Sequence, residues 1–132
     1  MTSSVQRASF VVGWVLIALG ILGFITSPGG MAASSESAAR VFRVFPVNIV
    51  LNVFHLTWGV WGLASSQWHY SSRQYARVSG VIYLFLAIWG IVSPSFAGLF
   101  PTGGNNIWLD AIIGIVLGYY GFTAREAAVA AR

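Results

Sequence analysis

Residues 9–27 read SFVVGWVLIALGILGFITS, 19 residues without a charged side chain. A helix rises about 1.5 Å per residue, so this run covers about 30 Å, the thickness of bilayer hydrocarbon. It follows Arg7 and meets no small-x-small pattern before Met31-Ala32-Ala33-Ser34. The apolar part of a signal peptide is about 7–15 residues long, so the run is read as a retained transmembrane helix.

Three similar segments follow, at 45–64, 75–92 and 106–122. The last two are slightly short, which suggests a thin local bilayer or polar ends drawn inward. Lipid cannot satisfy backbone polar groups, and the segments show no strand-like alternation, so helices are expected. Ser27-Pro28-Gly29-Gly30 and Ser93-Pro94-Ser95 end the first and third helices, while Phe45-Pro46 and Phe100-Pro101 precede the second and fourth. Asn48 or Asn52, and Asn105 or Asn106, are candidate caps there. The tail from Thr123 to Arg132 is alanine-rich and extends the fourth helix as a short amphipathic end. The expected architecture is an all-α membrane protein over 1–132, a single domain of four transmembrane helices at 9–27, 45–64, 75–92 and 106–122.

Composition agrees. Of 132 residues, 57% are hydrophobic and 8% charged, with a mean hydropathy of +0.76. A soluble domain carries about 25% charged residues. The net charge of +4 comes from arginines scattered between apolar runs. A nucleic-acid surface would gather them in a stripe, so nucleic acid is not an expected partner. With no cysteine there is no disulfide, thiol chemistry or thiolate metal site.

Four spans place both termini and the middle loop on one side, with Arg7, Arg73, Arg77, Arg125 and Arg132; Arg40 and Arg43 fall on the other. The positive-inside rule makes the first side cytoplasmic. Trp68, His69, Tyr70, Tyr75, Tyr119 and Tyr120 then lie at the inner interface and Trp108 at the outer one. The segment from Ala32 to Val44 is either a short surface helix or a plain connector.

The halves resemble each other. Arg7-x-Ser9 matches Arg77-x-Ser79, with Gly20 on Gly90; Phe45-Pro46 matches Phe100-Pro101, with His55 on Asp110 and Gly59 on Gly114. Both halves enter from one side, which implies two parallel two-helix repeats about an axis along the membrane normal. Gly114-x-x-x-Gly118, the weaker Ser9-x-x-x-Gly13, and Gly59 with Gly62 are helix-packing positions. Trp14, Trp58, Trp61 and Trp89 fall within apolar spans, as packing or lipid-facing residues or as a cofactor-binding face.

The polar intramembrane group is Asn48, Asn52, His55, Asn106 and Asp110. Such residues face a bundle interior or a cavity, and they either hydrogen-bond a neighbouring helix or handle a ligand or proton. His55 is the candidate cofactor ligand, for a pigment or quinone, and Asp110 its candidate partner. No metal-ligand set, phosphate loop or nucleophile elbow is present, so no catalytic residue is assigned and no enzyme is expected.

Phe45-Pro46-Val47-Asn48, Asn52-Val53-Phe54-His55-Leu56 with Gly59 and Gly62, Tyr75-Ala76-Arg77-Val78-x-Gly80-Val81-x-Tyr83 and Asn106-x-Trp108-Leu109 resemble the signature blocks of domain of unknown function 4383. The resemblance covers roughly Arg7 to Phe122. It implies a bacterial four-helix integral membrane protein of unassigned activity. That family tends to carry a histidine in the fourth helix, where this chain has Asp110, which argues against paired histidine ligands. The expected role is an accessory or scaffold subunit of a larger membrane complex, photosynthetic or respiratory, with the bilayer and other membrane subunits or a second copy as partners. The alternative is a small transporter or quinone-linked redox helper using His55 and Asp110.

Overall fold

The computed structural model describes residues 2–34 and 36–126. Within them the chain forms α1 (Ser4–Thr26), β1 (Ala39–Val41), β2 (Phe45–Val47), α2 (Ile49–Ser65), α3 (His69–Val92) and α4 (Asn106–Thr123). By length and composition α1, α3 and α4 are apolar enough to cross a membrane, whereas α2 has 17 residues.

Each boundary has a local cause. The α1 helix starts at Ser4, five residues before the apolar run, because Ser3 and Gln6 form a capping box. The first turns of α3 are polar, yet the helix starts at His69 rather than Tyr75: Ser66-Gln67-Trp68 alone make the turn from α2, with the Trp68 amide bonded to the Ser65 carbonyl at 3.2 Å. The α2 helix starts at Ile49 rather than Phe45, because Phe45 to Val47 pair antiparallel with Ala39 to Val41. Asn48 is extended and caps α2, its Oδ1 accepting the Leu51 amide at 2.9 Å. The α4 helix ends at Thr123 and Ala124 is extended, so the expected helical tail stops there; residues 127–132 lie outside the described residues.

The connector 32–44 is neither a surface helix nor a plain link. It leads into a hairpin with Phe42 and Arg43 both at positive φ, 55° and 61°. Two such residues suit the twist of a tight hairpin, at a cost of about 1–2 kcal/mol each for a side chain with a β-carbon. Val41 and Val47 anchor the hairpin on the bundle by packing with Leu51, Leu86 and Phe100.

The helices form two tight antiparallel pairs, α1 on α2 and α3 on α4, with looser contact between pairs. In the first pair Gly23 lies beside Asn52, Gly20 beside Leu56, and Gly13 beside Gly59 and Leu63. In the second, Gly90 lies beside Ile107, Gly80 beside Gly118, Leu84 beside Gly114, and Gly121 beside Ala76 and Arg77. Small residues let backbones approach, which is how helices gain packing energy where lipid removes the hydrophobic drive. Leu16, Leu19, Tyr75, Tyr83, Ile113 and Leu117 fill the space between the pairs.

The two ends of the bundle differ. At one end His69 Nδ1 lies 2.8 Å from Ser3 Oγ and its Nε2 2.6 Å from the Arg125 carbonyl, so one imidazole joins the start of α1 to the end of α4. Arg73 and Arg77 donate through Nε to the Ala124 and Gly121 carbonyls at 3.2 and 2.8 Å. These are carbonyls a helix C-terminus leaves without partners, and a cation suits the negative end of the α4 dipole. The hairpin and the 93–105 loop close the other end.

Candidate polar site within the bundle

Asn52 and His55 stand three residues apart on α2, and Asn106 and Asp110 four apart on α4, so each pair shares a helix face. All four are buried, His55 to 2% exposure and Asp110 to 6%. Tyr83 of α3 joins them: it is fully buried and within electrostatic reach of Asp110. Phe54 places α2 against this position, its ring centroid 5.9 Å from that of Tyr83 and 6.3 Å from that of His55.

The polar groups are of two kinds, and Asn106 contributes to both. Asn48, Asn105 and Asn106 are clamps. Asn48 Nδ2 donates to the Leu99 carbonyl at 2.8 Å, and Asn106 Nδ2 to the Pro46 and Pro101 carbonyls at 2.7 and 3.1 Å. Each helix start thus grips the segment that precedes the other. Asn105 sits at the cap position of α4 without a capping bond; its Nδ2 donates to the Val44 carbonyl and its Oδ1 accepts from Trp108 Nε1.

The second kind is unsatisfied. Both polar atoms of the Asn52 carboxamide, His55 Nδ1, the Tyr83 hydroxyl and Asn106 Oδ1 are buried without a hydrogen-bond partner. No hydrogen bond or ion pair joins His55 to Asp110, so the pairing expected from the sequence does not form. The helix pairing explains this. Asn52 is turned onto Gly23 of α1, and His55, one turn on, follows the α1 side of α2, while Asp110 lies on α4, which pairs with α3. In a membrane an unpartnered polar group is expensive, so each of these atoms is a candidate contact for water, a proton or a small polar ligand.

The His55 ring is enclosed, so a pigment- or quinone-sized ligand reaches it only if the helices part. Among the described residues no three His, Cys, Asp or Glu side chains gather as a metal site. The chemistry on offer is hydrogen bonding and proton exchange.

The sequence places Tyr75 in the interfacial aromatic belt and gives Tyr83 no role beyond a family block, whereas both side chains are fully buried in the bundle. Tyr75 donates to the Trp58 carbonyl at 3.0 Å, and Trp58 Nε1 donates to Ser79 Oγ at 2.9 Å. The aromatic residues form a packed series through Trp61, Trp58, Phe54, Phe100, Phe96 and Trp89, with neighbouring centroids 4.7–5.9 Å apart. Trp14, in contrast, is half-exposed on α1.

Among the packing glycines, a β-carbon on Gly62 would meet the Tyr75 ring and hydroxyl, and one on Gly114 would meet Leu84 at 2.7 Å. Gly118 contributes its backbone, which faces Gly80, and has open space where its own β-carbon would go.

A protein family described as a domain of unknown function, DUF4383, has a model that matches residues 6–123. The chain belongs to this family. The match covers α1 from residue 6 onward, the other three helices, the hairpin and every residue of the polar site. No curated protein matches the chain, and no solved structure does.

Proposed function

We propose that this DUF4383 protein is a non-catalytic accessory subunit that crosses the membrane four times and packs against other integral membrane proteins. The observation that carries the reading is the use of its polar side chains. Gln6, Asn48, Arg73, Arg77, Asn105 and Asn106 each donate to a backbone carbonyl of a different element. Their hydrogen-bonding capacity goes into rigidity rather than into a reaction centre. What faces outward is apolar and aromatic, including Phe10, Trp14, Phe85 and Ile88.

The helix pairing supports the proposed membrane placement. Although short, α2 runs beside α1 from Gly23 to Gln6, whose Nε2 donates to the Ser66 carbonyl at 3.0 Å, which supports a fourth crossing. Gly20 faces α2 as Gly90 faces α4, which supports two parallel repeats of one helix pair. The end bearing Arg7, Arg73, Arg77 and Arg125 is assigned to the cytoplasm, against Arg40 and Arg43 at the other. A bacterial inner or photosynthetic membrane is the proposed home, and a respiratory or photosynthetic complex the proposed host. Solubilisation in mild detergent at native abundance, followed by native electrophoresis and mass spectrometry, tests this. A stoichiometric larger assembly is expected; a lone monomer or simple homodimer refutes it.

The unpartnered buried atoms of His55, Tyr83 and Asn106 favour a second reading, a small transporter or redox helper that moves protons. It requires that His55→Ala or Asp110→Asn abolish a flux or electron-transfer phenotype at normal expression. An unchanged phenotype removes it.

A further inference from the structure

Near the arginine-rich end, α1 and α4 part to leave a groove of about 270 Å³. Ala8, Val11, Val12 and Val116 wall it, and Ser4, Arg7 and Tyr120 complete the lining towards the end of the bundle. At liquid density the volume holds about nine waters, or a comparable length of hydrocarbon. Apart from Ser4, Arg7 and Tyr120 at the end of the bundle, the lining is apolar, so water deeper in the groove has little to bond to.

The mouth is different. The Arg7 guanidinium donates to the Thr2 carbonyl at 2.8 Å and to Ser4 Oγ at 3.3 Å, both uncharged. A guanidinium has five N–H donors in a fixed fork, so most remain available. Among the described residues no carboxylate pairs with it. Arg73 and Arg77 at the same end are committed to the carbonyls of α4, and Arg77 also lies over the Phe122 ring at 5.2 Å. Arg7 brings an unneutralised charge to the top of an apolar slot.

We propose that this groove binds one anionic phospholipid, its phosphate on Arg7 with the Tyr120 hydroxyl beside it and an acyl chain between α1 and α4. The guanidinium fork matches phosphate geometry in two parallel bonds, and basic pockets between transmembrane helices suit acidic headgroups. The lipid covers the valine walls and holds the weakly packed α1–α4 seam. The site rests on the membrane placement of the helices and not on the accessory role, and it can fail without touching that role.

The test is native mass spectrometry of the full chain released from nanodiscs containing equal phosphatidylglycerol and phosphatidylcholine. One retained phosphatidylglycerol per chain is expected, at a preference of about fivefold or more. Arg7→Gln should abolish the preference, and Arg7→Lys should restore part of it. Val116→Trp should lower lipid retention by filling the slot while leaving Arg7 in place. Arg43→Gln, at the opposite end, should change nothing. Equal retention of the two lipids, or an Arg7→Gln protein that keeps the preference, overturns the proposal. So does retention of added inorganic phosphate in place of lipid, which would mark an anion site without an acyl chain.

Discussion

Gly59 lies so close to Gly13 that a β-carbon on Gly59 would sit 2.7 Å from the Gly13 carbonyl oxygen and 2.8 Å from the Ile17 amide nitrogen. Both neighbours are backbone, which cannot rotate away, so a methyl group there forces α1 and α2 apart. Gly59→Ala should therefore cost about 1–3 kcal/mol, the usual range for overpacking. Gly118→Ala is the internal control. Its β-carbon meets nothing within 4 Å, and replacing glycine in a helix interior gains about 0.5–1 kcal/mol. Thermal unfolding in one detergent should show opposite shifts in Tm. Equal shifts would mean that the close approach of α1 and α2 is not what holds the first pair.

Asn106 clamps the hairpin end through the Pro46 and Pro101 carbonyls, and it is almost fully buried. Removing it leaves those carbonyls without that donor, so Asn106→Ala should cost about 1–3 kcal/mol. Asn105 binds the Val44 carbonyl from a partly exposed position, and Asn105→Ala should cost less. Hydrogen exchange separates a local effect from a global one. The Val44 amide, bonded to Val41 within the hairpin turn, should exchange faster in both variants, while amides in the middle of α1 should slow or speed only with global stability.

How far the sequence led depends on the range of the interaction involved. Four apolar helices were legible because a continuous apolar run and a proline stop are local properties. The family was legible too, in the blocks around Asn48, His55 and Asn106. The hairpin was not, because its pairing of Ala39 with Val47 is decided across a turn whose residues, Phe42 and Arg43, are not the usual ones at positive φ. The start of α3 was hidden for the opposite reason, since its first turns are polar and hydropathy does not register them. The His55–Asp110 pairing was inferred from repeat positions alone. Which helix each residue leans toward depends on Gly23 admitting Asn52, a tertiary fact that no single segment contains.

Arg77 links α3 to the last turn of α4 twice, through Nε to the Gly121 carbonyl at 2.8 Å and through its position over the Phe122 ring. Arg77→Met keeps the apolar stem and removes both links. It should lower stability by about 1.5–3 kcal/mol, the range for a hydrogen bond to a charged group. Arg77→Lys should recover only part of that, because an ammonium lacks the planar face and the fixed Nε donor. Exchange at the Ala124 amide, which is bonded to the Tyr120 carbonyl, reports fraying directly. If lysine restores full protection, charge alone is what the α4 terminus needs.

Tyr75 and Tyr83 offer the sharpest test of the interior, because they lie on one helix, are both fully buried, and differ in what their hydroxyls touch. Tyr75 donates to the Trp58 carbonyl at 3.0 Å, while the Tyr83 hydroxyl has no protein partner. Hydrogen bonds between membrane helices are worth about 0.6 kcal/mol on average and up to about 1.7, so Tyr75→Phe should destabilise by that order. Tyr83→Phe removes a polar atom that gains nothing from the protein and should be neutral or stabilising. Unfolding of the two variants under identical conditions decides it. A Tyr83→Phe protein that loses as much as Tyr75→Phe would mean that the hydroxyl is satisfied in the membrane by a bound water or ligand. That outcome would shift the balance from the accessory reading toward a working polar site between Tyr83 and Asp110.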